Sequence, residues 1–413
     1  MIYLDYQATT PLAPEVATAM RPWIETNFGN PHSSHRIGRE ALAAIEVARE
    51  RVLAALTARS VRFTSPTVCF ETPPTVRFER SREAPAPVES VSTSLDTNGA
   101  GKVYFTSGAT EAANWALKGA AARLPEGKRR IVALATEHAC VLDTVKWLGS
   151  QGFDIELAPV HSDGTADLAA LDRLIDERTG LVAAMLVNNE IGVVQPIDRI
   201  AAMSRSRGAL LFCDAVQGFG RVPLPLHDGD LVAVSAHKVH GPKGVGALWI
   251  RDGVAIDPLL HGGGQEGGIR SGTLSPALCV GFGEAAWLLT ERDAADHAHV
   301  EALWARAISM LGDRWTLNGS ADRRYHGNLN IRRNGIDSAR LISEVRRVAF
   351  SSGSACASGS GRPSHVLSAL GLGDGEARSS IRLGFGRYTS QEELVEALTL
   401  IEDAAARQRS FAA

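Results

Sequence analysis

The 413-residue sequence has few cysteines, little net charge and no long hydrophobic run. Its five cysteines are an odd number and are scattered along the chain, so we expect reduced thiols in a cytoplasmic protein and no disulfide framework. Nowhere is there the apolar run of roughly 18 residues that a membrane-spanning helix needs, and the first residues do not read as a secretion signal. A formal net charge of −3 gives no broad basic surface, which argues against nucleic acid as a direct partner.

What the sequence does contain is the repeating pattern of an α/β protein. Apolar runs of strand length are each followed by a polar cluster and then by a helical stretch. Runs that are apolar on both faces fit a sheet that helices cover on both sides. We expect the first five runs to be parallel and the last to be antiparallel, because the Gly-Pro-Lys-Gly turn before it is too short for a parallel crossover. The runs are Val103–Thr106, Ile131–Ala135, Leu181–Val187, Leu210–Cys213, Leu231–Val234 and Gly246–Ile250.

Helical periodicity and composition divide the rest of the chain. Apolar residues at every third or fourth position predict a helix over 36–56, and two further helices are expected, one near 277–311 and one over 391–407. Glycine-rich turns and short strands after residue 262 indicate a second domain of α+β type. We therefore expect a large domain over 12–262 and a smaller domain formed by 1–11 and 263–413.

Residues 57–101 interrupt this pattern. They are rich in Pro, Ser, Thr and Arg, and they contain a crude repeat, Thr-Val-Cys-Phe-Glu at 67–71 and Thr-Val-Arg-Phe-Glu at 75–79. Such a composition buries little apolar surface, so we interpret the segment as a disordered surface insertion rather than a folded subdomain.

The polar clusters that follow five of the strands share one edge of the predicted sheet. In an open α/β sheet, ligands bind beyond the carboxyl ends of the strands. Helix capping or loop solvation explains one such cluster, but five in succession favour a functional site. The clusters are Ser107-Gly-Ala-Thr-Glu111, Thr136-Glu-His138, Asn188-Asn-Glu190, Asp214-Ala-Val-Gln217 and Ser235-Ala-His-Lys238.

The residue types in these clusters match the parts of a pyridoxal phosphate. Ala109 and Thr110 open a helix whose free N–H groups suit a phosphate, although Ser-Gly before a helix is usually only a cap. Asp214 ends a very apolar strand, where a carboxylate needs a partner such as a protonated pyridine nitrogen; the alternative is a buried Asp that caps a turn. Desolvation would lower the pKa of Lys238 and make it a Schiff-base nucleophile rather than a snorkelling side chain. His138 can stack on the ring and move protons, although a lone histidine is more often a core residue.

Cys356 differs from the other cysteines in its surroundings. It lies in Ser-Ser-Gly-Ser-Ala-Cys-Ala-Ser-Gly-Ser-Gly, a segment too small and flexible to pack, whereas Cys213 and Cys279 have the apolar neighbours of core cysteines. A thiol on a mobile loop can reach into a site and then swing out to a partner. Cys140 is either a second reactive thiol or, as we favour, a small packed residue.

The motifs resemble those of the class V aminotransferase superfamily of fold-type I pyridoxal-phosphate enzymes, and within it the NifS/IscS type of cysteine desulfurase. They run in family order over the whole chain except 57–101. The resemblance implies a homodimer that converts L-cysteine to L-alanine and passes the sulfur, as a persulfide on Cys356, to an acceptor such as an iron–sulfur scaffold protein. The motifs are Tyr3-Leu-Asp-Tyr-Gln-Ala-Thr-Thr-Pro11, Gly29-Asn-Pro-His-Ser-Ser-His35, the five clusters above with Ile191 and Gly192, Arg270-Ser-Gly-Thr273 and Ser351-Ser-Gly-Ser-Ala-Cys356.

The resemblance also implies a role for each site residue. Lys238 would bond covalently to pyridoxal 5'-phosphate, and it would be catalytic together with Cys356 and His138. Asn189 and Arg382 would hold the substrate carboxylate, a task that suits the planar fork of arginine. No metal ion is implied. The other cofactor contacts would be Ala109, Thr110, Ser235 and His237 at the phosphate, Asp214 at the pyridine nitrogen, Gln217 at the ring hydroxyl, and Thr273 at the phosphate of the second subunit.

Two features depart from the family pattern, and two alternatives stay open. Gly267 stands where an arginine is usual, and the family has only a short link in place of 57–101. The nearest alternative is a selenocysteine lyase or another class V aminotransferase, but a transaminase gives no reason for Cys356 on a Gly/Ser loop. The other is a non-catalytic relic disabled by the insertion, against which the retention of Lys238 and Asp214 argues.

Overall fold

The computed structural model describes residues 1–58, 101–353 and 364–412. The predicted insertion, apart from its two ends, and Cys356 therefore lie outside the described residues. The chain begins with β1 (Ile2–Tyr3), α1 (Pro14–Glu25) and α2 (Arg36–Ala58), and the last of these confirms the helix predicted over 36–56.

A seven-stranded sheet forms the centre of the described chain. Its strands, in chain order, are β2 (Lys102–Thr106), β3 (Arg130–Leu134), β4 (Asp154–Ala158), β5 (Thr179–Met185), β6 (Leu210–Asp214), β7 (Leu231–Ser235) and β8 (Gly246–Ile250). Their spatial order is β2-β8-β7-β6-β5-β3-β4. Strands β3 to β7 pair in parallel, whereas β8 runs antiparallel to both of its neighbours. All the predicted strands and their directions are thus confirmed.

One strand of this sheet was missed. Strand β4 occupies the edge beyond β3, and its residues Asp154 and Glu156 alternate with apolar ones. An edge strand faces solvent more than a central strand does, so it need not be apolar on both faces.

Helices cover both faces of the sheet because alternate strand residues point to opposite sides. Val132, Val182 and Val232 pack on the side of α1 and α2, whereas Ile131 and Leu181 pack on the other side. The helices that connect the strands are α3 (Ala109–Ala121), α4 (Ala139–Ser150), α5 (Leu168–Leu174) and α6 (Ile197–Ser206). Helices α3 and α4 share the second face, and α5 and α6 contribute to the first.

A second hydrophobic core lies in the C-terminal part, around a four-stranded sheet of order β12-β13-β10-β9. Strand β1 pairs in parallel with β11, which places Ile2 and Leu4 in this core. Helix α7 (Pro276–Glu291) belongs to the core of the central sheet. The elements that follow it along the chain are α8 (Asp293–Leu311), β9 (Thr316–Leu317), β10 (Asn328–Arg332), α9 (Ser338–Glu344), β11 (Val348–Ala349), β12 (Ser351–Ser352), α10 (His365–Ala369), α11 (Asp374–Arg378), β13 (Ser380–Gly384) and α12 (Gln391–Ala412).

The single helix predicted near 277–311 is wrong, because the chain breaks at Arg292 and forms α7 and α8. Arg292 leaves helical geometry (φ −111°, ψ 4°), and Asp293 and Asp296 occupy the first turn of the new helix, where acidic side chains are favourable. Helix α7 packs on α1 and α2, beside the central sheet, whereas α8 packs on α12. Because α7 and α8 pack against different helices, the chain must change direction between them. The helical periodicity is the same on both sides of Arg292, so it does not predict this break. The two-domain division itself stays a prediction.

Among the described residues, no helix combines the length and the apolar content that crossing a bilayer requires.

Candidate active site

The five polar clusters lie at one edge of the central sheet. Each follows the carboxyl end of a strand, and these strands, β2, β3, β5, β6 and β7, all run in the same direction. The strand ends are level, since Met185 of β5 is in register with Asp214 of β6, which is in register with Ala233 of β7. The topology therefore brings residues that are far apart in sequence into one site.

Lys238 ends a short 3-10 turn that directly follows β7. Its Nζ donates to the carbonyl oxygens of Gln7 (2.6 Å) and Ala8 (2.8 Å). Burial lowers the pKa of Lys238 to about 8, and repulsion from Arg221 and Arg382 acts in the same direction. Far more of this amine is uncharged near neutral pH than of an ordinary lysine, as a nucleophile or a base requires.

Asp214 is 6% exposed, and its Oδ1 accepts a hydrogen bond from the N–H of Val216 (3.0 Å). Burial raises the pKa of Asp214, while the electrostatic interactions with His138 and Lys238 and the hydrogen bond from Val216 oppose that rise. No arginine or lysine forms an ion pair with this carboxylate among the described residues. A buried carboxylate that lacks such an ion pair would be stabilised by a cationic ring nitrogen bound next to it.

Glu137 is a second buried carboxyl group in the same place. Its Oε1 accepts from the N–H of Met185 (2.6 Å), and its buried Oε2 has no hydrogen-bond partner in the described part of the chain. Burial raises the pKa of Glu137 well above its ordinary value, and the charge of Asp214 adds to the rise. Of two neighbouring buried carboxyls, Glu137 is thus the one that stays protonated.

His138 caps α4, its Nδ1 accepting from the N–H of Cys140 (3.2 Å). Burial lowers the pKa of His138, so the imidazole is neutral at neutral pH. The sulfur of Cys140 lies 3.1 Å from the same Nδ1. Burial, together with the charge of Asp214, raises the pKa of Cys140, which disfavours the reactive thiolate and supports its interpretation as a packed residue.

The start of α3 forms an open end of the site. A Cβ on Gly108, which precedes the helix, would meet nothing within 4 Å. A Cβ on Gly246 of β8 would lie 2.9 Å from the Cα of Gly108, so that glycine lets the sheet approach the helix start closely. The first N–H groups of α3, at Ala109 and Thr110, have no acceptor within the helix and suit an anion.

Ser235 and His237 stand at the end of β7. Ser235 is buried, and Nδ1 of His237 lies 3.2 Å from Oγ1 of Thr9. Burial lowers the pKa of His237 to about 4, with the charges of Lys238 and Lys243 acting in the same direction. At neutral pH the ring is therefore a neutral hydrogen-bonding group.

Gln217 is held by residues that the sequence did not identify. Its Nε2 donates to the carbonyl of Gln7 (2.9 Å), the same oxygen that accepts from Lys238, and its Oε1 accepts from Arg221. Arg221 also donates to the carbonyl of Lys238 (2.6 Å). To meet a ring hydroxyl, as predicted, Gln217 must exchange or share one of these partners.

Arg382 and Asn189 meet at the boundary between the two sheets. Arg382, in β13, is 1% exposed, and its Nη1 donates to the carbonyl of Asn189 (3.0 Å). Its Nη2 donates to Oδ1 of Asp5 (2.7 Å), a residue of the first motif to which the resemblance gave no role. The predicted carboxylate-binding residues are therefore adjacent.

The loop before α7 contains Thr273, which is exposed in the single chain. Glu266 anchors this loop by pairing with Arg49 (2.7 Å). Gly267 has φ 66°, a left-handed conformation that favours glycine over the arginine usual at this position. The predicted contact of Thr273 with a second subunit stays a prediction.

These observations fit pyridoxal phosphate. A helix start and neutral hydroxyl and imidazole groups lie where its phosphate would bind. A buried carboxylate is available for its pyridine nitrogen, and an amine of lowered pKa for its aldehyde.

Comparisons with known proteins give the family. The family described as aminotransferase class-V matches residues 2–69 and 84–398. Cysteine desulfurase IscS of Rickettsia akari is 41% identical over 408 residues, which cover 97% of this chain and 90% of that protein. A solved NifS-like protein superposes with a TM-score of 0.82 at 31% identity, covering 98% of this chain and 99% of the other. The NifS-like protein from Rickettsia africae gives 0.79 at 25%, with the same coverage. The chain therefore belongs to the class V aminotransferase family, in its cysteine desulfurase branch.

Proposed function

We propose that this chain removes sulfur from L-cysteine with pyridoxal 5'-phosphate bound at Lys238, that it receives the sulfur on Cys356, and that it releases L-alanine. The observation that carries the proposal is the half-buried Lys238 amine, with a pKa lowered to about 8, at the same sheet edge as the buried carboxylate of Asp214. An amine for covalent attachment and a carboxylate that forms no ion pair with an arginine or lysine of the described chain are the two groups that this cofactor needs most.

The residues that would hold the cofactor are those of the sheet edge. Ala109, Thr110, Ser235 and His237 would bind its phosphate, Asp214 its pyridine nitrogen and Gln217 its ring hydroxyl. When bound, pyridoxal phosphate supplies an electron sink that stabilises negative charge on the carbons of an attached amino acid.

The chain's own groups would orient the substrate and move its protons. Arg382 and Asn189 would fix the carboxylate and so determine which bonds of the amino acid face Lys238. Nζ of Lys238 would take the Cα proton, because its lowered pKa leaves far more of the amine uncharged near neutral pH than in an ordinary lysine. The neutral imidazole of His138 would stack on the cofactor, and its own ring nitrogens would accept and donate protons.

Sulfur transfer requires a thiolate, which the three cysteines of the described chain, two buried and one half-buried, do not readily supply. Burial raises the thiol pKa of Cys140, Cys213 and Cys279, which makes all three poor nucleophiles. We assign the step to Cys356: its thiolate bonds to the substrate sulfur, the C–S bond breaks, and the electron pair of that bond stays on the carbon skeleton. That carbon then takes up a proton, and the skeleton leaves as alanine. Cys356 then carries a persulfide.

The partners belong to the same proposal. We infer a homodimer in which Thr273 reaches the phosphate of the other subunit, and a cytoplasmic setting. The acceptor of the sulfur would be a protein, with an iron–sulfur scaffold as our first candidate.

The test compares cysteine variants of the holoenzyme supplied with L-cysteine. Cys356→Ser is expected to keep the cofactor's absorbance but to lose persulfide formation and at least about 99% of alanine production, since the nucleophile is gone. Lys238→Ala is expected to lose the absorbance of the covalently held cofactor. Cys69→Ser is the matched control and is expected to behave like the unmodified enzyme.

Two results would contradict the proposal. Full alanine and sulfide production by Cys356→Ser would remove that cysteine from the mechanism. Amino transfer from L-cysteine that depends on an added keto acid, without sulfide, would identify a transaminase instead.

A further inference from the structure

Asp5 lies against the guanidinium that we propose as the carboxylate anchor. The ion pair between Asp5 and Arg382 spans 2.7 Å, and the side chains are 20% and 1% exposed. Arg382 also donates to the carbonyl of Asn189 and approaches Oγ of Ser351 at 3.4 Å. Its buried Nε has no acceptor among the described residues. The arginine therefore already has one carboxylate partner and retains donor capacity for a second.

The main chain holds Asp5 in this position. The N–H of Gly384 donates to the carbonyl of Leu4 (2.8 Å), and the N–H of Tyr6 donates to the carbonyl of Gly384 (3.3 Å). These bonds tie both neighbours of Asp5 to the strand that bears Arg382. The phenol of Tyr3 lies 3.1 Å from the carbonyl of Asp5 itself and shares its proton between this oxygen and the carbonyl of Thr9 (2.8 Å). Asp5 cannot move far from Arg382 without breaking this local pairing.

A substrate carboxylate at Arg382 would therefore share the guanidinium with a fixed negative charge. The like charge disfavours the second carboxylate, while the bond from Nη2 to Asp5 keeps the guanidinium oriented. The effect acts on any α-amino acid, because it concerns only the carboxylate that substrate and product have in common.

We infer that Asp5 is a positioning residue that orients Arg382 and weakens its hold on amino-acid carboxylates, so that the product can leave. The inference rests on the proposed function, since it takes Arg382 as the carboxylate site. Asp5 would lower the affinity of the enzyme for L-cysteine and L-alanine by the same factor, and would thus raise KM without aiding the chemical step.

Equilibrium binding of L-alanine to the holoenzyme, measured by calorimetry, tests the inference apart from turnover. Asp5→Asn keeps an acceptor for Nη2 but removes the charge. We expect it to bind L-alanine about tenfold more tightly, the size of effect that one like charge within a few ångströms produces. KM for L-cysteine is expected to fall by a similar factor, with kcat unchanged or lower. Asp5→Ser, also uncharged, is expected to change affinity in the same direction.

Controls separate this inference from the proposed function. Asp230→Asn changes an ion-paired aspartate at the opposite edge of the sheet and is expected to leave L-alanine binding unchanged. Arg382→Lys is expected to weaken L-alanine binding, since the planar fork is lost. If Arg382→Lys weakens binding but neither Asp5 variant tightens it, the role of Asp5 is wrong and the carboxylate site stands. If Arg382→Lys leaves binding unchanged, the carboxylate site itself is wrong.

Discussion

Replacing Asp214 with asparagine separates what this carboxylate does for the reaction from what it does for the fold. Asparagine has nearly the same shape, and its Oδ1 can still accept the hydrogen bond from Val216. Only the charge is removed. Because Asp214 is 6% exposed, water does not replace the lost interaction with a cationic ring nitrogen.

The two effects differ in sign. Loss of a hydrogen bond to a charged group costs about 1.5–3 kcal/mol, so we expect kcat of the Asp214→Asn holoenzyme to fall about 10- to 150-fold. In the apoenzyme, burial raises the pKa of Asp214 above its ordinary value of 3.8, which means that the ionised group opposes folding. The native state then binds more protons than the unfolded chain, and stability falls as the pH rises above about 3.8. The asparagine variant lacks this fall, so its apoenzyme is expected to be at least as stable at neutral pH.

Steady-state alanine production and urea unfolding of the apoenzyme at several pH values measure the two effects. Asp230→Asn is again the control: it is expected to destabilise the fold, because the N–H of Leu211 and Arg251 lose a charged partner, but to keep kcat. An Asp214→Asn enzyme with nearly unchanged kcat would refute the assignment to the ring nitrogen. A destabilised apoenzyme would show that the carboxylate is already paired in the fold.

Two further predictions follow from pKa directions at the same edge. Glu137→Gln is expected to change kcat by less than about threefold, because burial already holds Glu137 uncharged; a loss as large as that for Asp214→Asn would show that Glu137 is ionised during turnover. Covalent uptake of pyridoxal phosphate by the apoenzyme, followed by absorbance, is expected to accelerate as the pH rises through about 8, where Lys238 loses its proton. A midpoint near the ordinary lysine value of 10.5 would contradict the burial of this amine.

The central sheet and the composition of its edge were predictable because both are local in sequence. A strand that is apolar on both faces, followed at once by polar residues, predicts the strand, the position of its end and the place of the polar groups together. Asp214 and Lys238 follow from that pattern. Strand β4 does not, because its exposed edge position permits the polar residues Asp154 and Glu156. The break at Arg292 depends on which helices α7 and α8 pack against, and periodicity within one segment contains no such information.

The contacts that complete the site are distant in sequence and were not predicted. The Lys238 amine rests on the carbonyls of Gln7 and Ala8, which lie 231 and 230 residues away. Every residue has a backbone carbonyl, so a contact with one leaves no sequence motif from which it could be predicted. The partner of Arg382 is 377 residues away at Asp5, and the pairing of β1 with β11 and the bridge from Asp5 to Gly384 bring the two together.

A comparison of Asp214 with other carboxylates of the chain supports a ligand at the sheet edge. Glu266, in the loop before α7, receives both Nη atoms of Arg49 at 2.7 Å and the N–H of Phe105 at 3.0 Å, so its carboxylate is fully paired. Glu111 is likewise matched by two bonds from Arg270. Asp214 has one backbone N–H and no ion pair with an arginine or lysine among the described residues. A purely structural carboxylate at that depth would be expected to have the partners that Glu266 has, because an unpaired buried charge costs several kcal/mol. The lack of such partners at Asp214 is therefore expected if a bound ligand, such as the proposed cofactor with its protonated ring nitrogen, supplies the positive charge.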